Sequence, residues 1–198
     1  MRDHQGVSAM EPVNTRDTGT AAEAYLALEW PLALGHRYRP KQGCTCERPD
    51  CPIPGAHPVI GAPRLDEASL PCALETSPGA GLIAFTERFD AVLVPRYIGM
   101  AAMVSLDRGT PVTCLVLSRE VYALLVLPAT GRYAAVTSGV EVRTGEEGWI
   151  PLPPSRGSRW DTPPWLEGTS TPRTLISGDE VRHVLADCFT VTSAGATA

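Results

Sequence analysis

Cys44-Thr45-Cys46-Glu47-Arg48-Pro49-Asp50-Cys51-Pro52-Ile53-Pro54-Gly55-Ala56-His57-Pro58 sets three thiols and one imidazole within fourteen residues, spaced C-x-C-x4-C-x5-H. Thiolate and imidazole are the ligands that tetrahedral zinc favours, and four of them close a structural site. Pro52, Pro54 and Gly55 let the chain fold back so that His57 can meet the cysteines. The alternative is a loop with free thiols or one disulfide, and a disulfide leaves one of the three cysteines over. A closed site has no open position for a substrate, so the expected ion is structural zinc held by Cys44, Cys46, Cys51 and His57. The segment has few apolar residues and depends on that ion for its shape.

Around this segment the chain has 198 residues, 43% of them hydrophobic, enough for one domain with a real core. No apolar run approaches the roughly 20 residues of a membrane span. Met1 to Thr20 is polar and has no apolar signal region, so a cytoplasmic protein with reduced cysteines is expected. Cys72, Cys114 and Cys188 lie in apolar surroundings and read as buried small hydrophobes. The net charge of −5 argues against a strongly basic nucleic-acid surface. Local basic clusters remain: Arg37, Arg39 and Lys41 before the cysteines, and Arg156 with Arg159 near the C-terminal third. Both can be ordinary solvated charge. Lys41 is the only lysine beside sixteen arginines, which suggests the codon usage of a GC-rich bacterial genome.

Hydrophobic periodicity predicts an α+β fold: a mixed sheet with flanking helices and an inserted metal-binding loop at 43–58. Residues 1–18 read as a disordered tail, 19–190 as the domain and 191–198 as a frayed end. A helix capped by Thr18, Thr20 or a neighbour runs to about Glu29, and a short strand covers Trp30 to Leu34. Leu65 to Leu74 reads as a weak helix broken by Pro71. Strands are predicted at Gly81–Phe85 and Phe89–Val94, and a helix at Tyr97–Leu106 after Pro95. Val112–Leu117 and Val121–Leu127 read as adjacent strands of one sheet. Val140–Arg143 and Trp149–Leu152 flank Thr144-Gly-Glu-Glu-Gly148 in the pattern of a hairpin. A last helix, capped by Ser177 or Asp179, runs to about Cys188.

Several of these segments, in order, resemble the N-terminal domain of bifunctional DNA primase/polymerases, of the archaeo-eukaryotic primase superfamily. Glu29-Trp30-Pro31-Leu32 is similar to the family's G-W-P-V entry. The cysteine segment ending in Pro-Gly55-x-His57-Pro58 resembles its C-x-C…C-x-x-P-G-K-H-P run. Phe89-Asp90-Ala-Val-Leu-Val-Pro95 resembles its acidic strand. Gly148-Trp-Ile-Pro-Leu-Pro153-Pro154-Ser155, with Arg159-Trp160 after it, resembles its G-G-Y-V-V-A-P-P-S strand and turn. The likeness covers roughly residues 19–166.

The resemblance implies nucleotidyl transfer by two divalent ions, Mg or Mn, acting on nucleotides and a DNA template. That chemistry needs two carboxylates two residues apart on a strand, a third on a neighbouring strand, and a histidine at the triphosphate. Asp90 fills the first place, but Val92 and Leu93 follow it. Glu141 is the candidate third acid, and Val112–Leu127 contains no histidine. Arg156 and Arg159 are candidates for phosphate. At most two of four expected residues remain, which points to a primase/polymerase-like domain with catalysis weakened or lost. The alternative is a non-catalytic, zinc-stabilised module that binds nucleic acid or protein. A role in DNA replication implies a separate helicase or replication protein as partner, since no helicase motor follows. His4, His36 and His183 make no triad, and no phosphate-binding glycine loop is present. Trp149, Trp160 and Trp165 can stack on bases, though core packing or a lid over the sheet suits them better.

Overall fold

The computed structural model describes residues 11–195, so the expectations for 1–10 and 196–198 lie outside the described residues. Asp17 opens the first helix, α1 (Thr18–Ala27), by accepting a hydrogen bond from the Thr20 backbone N–H at 2.8 Å. The chain then forms β1 (Leu32–Leu34), β2 (Tyr38–Arg39), β3 (Gly43–Cys44) and the short helix α2 (Leu70–Thr76). The long strand β4 (Leu82–Pro95) runs into α3 (Arg96–Leu106), which starts directly after Pro95. β5 (Cys114–Val116), β6 (Val121–Val126), a 3-10 turn at Gly131–Ala134, β7 (Glu141–Leu152), β8 (Arg159–Thr162) and α4 (Gly178–Gly195) complete the order.

β4 is the axis of a six-stranded sheet. β7 runs along one edge of it, while β1 and β6 share the other, β1 against Leu82–Ala84 and β6 against Asp90–Pro95. β5 and β8 extend the sheet beyond β6. Every pairing among the described residues is antiparallel, so the α+β class holds while the expected mixture of strand directions does not.

The two strands expected at Gly81–Phe85 and Phe89–Val94 are one strand, and the expected hairpin at 140–152 is also one strand. Polar Thr86-Glu87-Arg88 and glycine-rich Thr144–Gly148 lie in the part of the β4–β7 ladder where the register slips between Phe85 and Ala91. Thr86 Oγ1 bridges the slip by donating to the Gly145 carbonyl at 3.1 Å. Gly145 has φ +70°, and a Cβ at Gly148 would run into Thr86 Oγ1. These glycines serve a bulge rather than a reversal, and turn-like composition alone does not distinguish the two.

Two hydrophobic layers cover the sheet. On one face Ala91, Leu93, Ala123 and Leu125 pack with α1, α2 and a group of aromatics. Tyr25 stacks between Trp30 and Trp165, with ring centroids 5.9 and 5.5 Å away, and Trp30 meets Phe89 at 4.6 Å. The Tyr25 hydroxyl donates to the Pro153 carbonyl and accepts from Trp160 Nε1 at 2.9 Å, and burial pushes its pKa up. Trp160 and Trp165 therefore belong to the core. On the other face Val92, Val94, Leu124 and Val126 pack with Ile98 and Ala102 of α3 and with Val181 and Leu185 of α4. α4 continues to Gly195, past the end near Cys188 expected from sequence and into the 191–198 segment read as frayed. Cys114 is buried and Cys188 half-buried, whereas Cys72, on the outer side of α2, is exposed against expectation. No described helix is long and apolar enough to cross a membrane.

Candidate metal centre

The cysteine segment is a knuckle built on a small antiparallel hairpin. β2 and β3 pair Tyr38 with Cys44 and Arg39 with Gly43, which delivers Cys44 to the centre. A turn follows, with Glu47 at φ +61° and its N–H bonded to the Cys44 carbonyl, and it swings Cys46 toward the same point. Gly55, at φ +75°, passes so close to Tyr38 that a Cβ would lie 2.7 Å from the Tyr38 nitrogen. Only glycine allows that return, and the return brings His57 back to the cysteines.

The four ligand atoms lie within 4.8 Å of one another. His57 Nε2 is 3.3 Å from Cys44 Sγ and 3.4 Å from Cys51 Sγ. A tetrahedral ion at ordinary zinc bond lengths requires S···N separations of about 3.5 Å, so the set fits such an ion. His57 Nδ1 faces the Pro58 carbonyl at 3.3 Å, which suits a protonated Nδ1 and leaves Nε2 for metal. The Gly55 N–H donates to Cys44 Sγ at 3.3 Å. The Arg48 backbone N–H, with help from the neighbouring thiols and His57, brings the Cys46 thiol down to about 6, which favours its thiolate. Burial pushes Cys51 up. The Cys46 and Cys51 thiols beside the Arg48 guanidinium raise its pKa. A divalent ion with three thiolates carries one net negative charge, and Arg48 offsets it.

The knuckle is tied to the start of β4. Gly35 N–H bonds the Gly81 carbonyl at 2.7 Å, and His36 N–H bonds the His57 carbonyl at 2.9 Å. The Pro-Pro-Ser turn is tied to the same place. The Ser155 hydroxyl accepts from the Leu82 N–H at 2.7 Å and donates to the Leu82 carbonyl at 2.9 Å. Ser155 is 4% exposed, so this motif residue satisfies both backbone groups of a buried strand position. The Pro153–Pro154 bond before it is cis.

Asp90 is 1% exposed. Its Oδ2 accepts from the Gly131 N–H at 2.7 Å and its Oδ1 from the Thr144 hydroxyl at 2.6 Å. Glu141 pairs with Arg143 at 2.7 Å, its side chain 62% exposed. Leu93 faces Glu141 across the ladder and Val92 faces Val142, so Glu141 shares a face with Ala91 and Leu93. Asp90 alternates with them and shares the face of Val92 and Val94. The two carboxylates therefore leave opposite faces of the sheet. On the Glu141 face, the β4 positions two apart that a metal-binding pair would occupy are Ala91 and Leu93.

Several hollows adjoin the knuckle. One, of about 550 Å³, lies between Ile53 and Ala56 of the knuckle and Leu93, Glu141, Arg143 and Trp149 of the sheet. The Arg143 guanidinium sits 5.1 Å from the Trp149 ring centroid and donates to the Trp149 carbonyl. Another, of about 480 Å³, opens between Tyr38, Gln42, Arg48 and Arg156. Arg156 lies with its guanidinium carbon 3.5 Å from the Tyr38 ring centroid. Arg159 is elsewhere, on β8, 4.0 Å from Asp161. The arrangement thus separates the two arginines that the sequence grouped. It brings in Tyr38 and Arg48, whose only signal was proximity to the metal ligands.

Comparison with protein-family models gave no match, and neither the curated proteins nor the solved structures contain a chain found to be similar to this one.

Proposed function

We propose that the chain is a primase/polymerase-like domain that has lost nucleotidyl transfer and acts as a zinc-stabilised nucleic-acid-binding module. The relation to primase/polymerases is supported by the ordered motifs from Trp30 to Trp160. The loss of catalysis is supported by one observation above others: Asp90 and Glu141 project from opposite faces of the sheet. Two Mg or Mn ions need carboxylates converging on one side. Asp90 instead spends both oxygens on Gly131 and Thr144, and the face with Glu141 presents alanine and leucine. Zinc is the resident ion that the three thiolates and one imidazole favour, with a structural role. A replication protein on another chain is the partner such a module implies.

Primer synthesis and primer extension with Mg or Mn and labelled nucleotides test the catalytic half. The expected result is no incorporation by folded, zinc-loaded protein. Incorporation that disappears in both Asp90→Ala and Glu141→Ala would overturn it. Titration against labelled single-stranded DNA, duplex DNA and RNA tests the binding half, and absence of binding to all three at low salt would overturn that.

A further inference from the structure

We infer that the cleft between Tyr38, Arg48 and Arg156 is the contact site for single-stranded nucleic acid, taking phosphodiester oxygens on the two guanidinium groups and a base beside the Tyr38 ring. The inference rests on the nucleic-acid-binding reading above and gives it a location.

Charge is the first support. Residues 36–64 carry Arg37, Arg39, Lys41, Arg48 and Arg64 against Glu47 and Asp50. In a chain of net −5 this segment is positive and stays so after the metal centre takes one charge back; Arg48 brings that charge into the cleft, while Arg37 and Arg39 line a neighbouring hollow and Arg64 pairs with Glu87. The excess of positive charge draws a polyanion toward the knuckle side of the molecule, where Arg156 adds to it.

Geometry is the second support. Tyr38 and Arg156 come from segments more than a hundred residues apart, the hairpin of the knuckle and the turn after Ser155. Both segments are pinned to β4, through Gly81 and Leu82 respectively, so the cleft between them is held on both sides. Arg156 is exposed and no ion pair is found for it among the described residues; it is held flat over an aromatic ring. A planar guanidinium stacked on a ring keeps its edge donors directed outward, an arrangement that serves both phosphate forks and base stacking. Arg48 has five donors, and its contacts with two sulfurs leave others for the cleft. Glu47 also stands at the rim, which limits the patch to a few phosphates.

The test is fluorescence anisotropy with zinc-loaded full chain and 5′-labelled oligo(dT) at several salt concentrations. Engagement of about two phosphates, one for each guanidinium, predicts a log–log salt slope near −1.4. Arg156→Ala is expected to weaken binding by roughly ten-fold and to flatten the slope by about 0.7. Arg156→Lys retains charge without the flat stack and should recover part of the loss. Arg156 is exposed, so zinc content and melting temperature should stay unchanged in both variants. Tyr38→Leu keeps an apolar side chain against Gly55 and should weaken binding without changing the salt slope. Oligonucleotide binding that is indifferent to Arg156→Ala and Tyr38→Leu would overturn this location while leaving the nucleic-acid reading intact. Absence of binding by the unaltered protein would overturn both.

Discussion

The knuckle, tied to the start of β4, and the aromatic layer, packed on Phe89 in the middle of it, hold their shapes by different means. The aromatic layer closes Tyr25, Trp30, Phe89, Trp160 and Trp165 against one another and the sheet, with a single buried hydroxyl satisfied on both sides. The knuckle contributes Cys44 and Ala56 to the buried set but leaves Ile53 and Val59 more than a third exposed and Ile60 almost wholly so. Burying a large apolar side chain contributes about 1.5–3 kcal/mol, and the knuckle has few such burials to draw on. Its order rests on the hydrogen bonds at Gly35, His36 and Gly81 and would draw further on the bonds of an ion held by its four possible ligands. One region is thus specified by volume and the other by coordination geometry.

That contrast breaks most sharply at Trp30. Trp30→Ala removes the ring between Tyr25 and Phe89 and should cost about 3–5 kcal/mol, measured by denaturant unfolding. A loss below 1 kcal/mol would mean that the aromatics are not the core. Removal of zinc, by chelator or by Cys44→Ser or His57→Ala, should lower the melting temperature by roughly 5 °C, equivalent to about 2 kcal/mol for a chain of this size. Limited proteolysis should then cut first within 43–58 while the sheet persists. An unchanged melting curve after metal loss would rule out a structural ion. Asp90→Ala leaves the Gly131 N–H and the Thr144 hydroxyl without their partner and should cost about 1–3 kcal/mol. A neutral result there would return Asp90 to the list of residues kept for chemistry.

The smallest effect is one of reactivity. With its pKa brought down to about 6, Cys46 in metal-free protein is mostly thiolate above pH 6 and protonated below it. Alkylation should therefore rise with pH through a midpoint near 6, and zinc should suppress it. Cys114, buried and with its thiol pushed up by that burial, should stay unreacted over the same range. A Cys46 midpoint near the ordinary thiol value would show that the Arg48 N–H contributes nothing.

The ligand set was legible because its chemistry is local: four side chains of the right type within fourteen residues, with prolines and Gly55 to return the chain. Helix α3 was legible for a similar reason, since Pro95 acts within one turn, and α1 from its apolar spacing, while the cap itself is Asp17 rather than the threonines named from sequence. β4 and β7 were each read as two pieces because polar and glycine-rich runs signal turns, and only cross-strand pairing makes them a bulge. β8 and the β2–β3 hairpin were not anticipated, being short strands without alternation of their own. Cys72 was read as buried from apolar neighbours in sequence, whereas helix α2 turns it outward.

By itself, then, the sequence determined the α+β class, the possible Cys/His metal-binding set and most helix positions, all of which follow from short-range periodicity, capping and ligand spacing. The tertiary structure decided which face of the sheet each acid occupies, because one residue of register reverses the direction of a side chain. It sent Asp90 to one side and Glu141 to the other. It also drew Arg156 onto Tyr38 and away from Arg159, because Ser155 anchors its turn to Leu82 beside the knuckle.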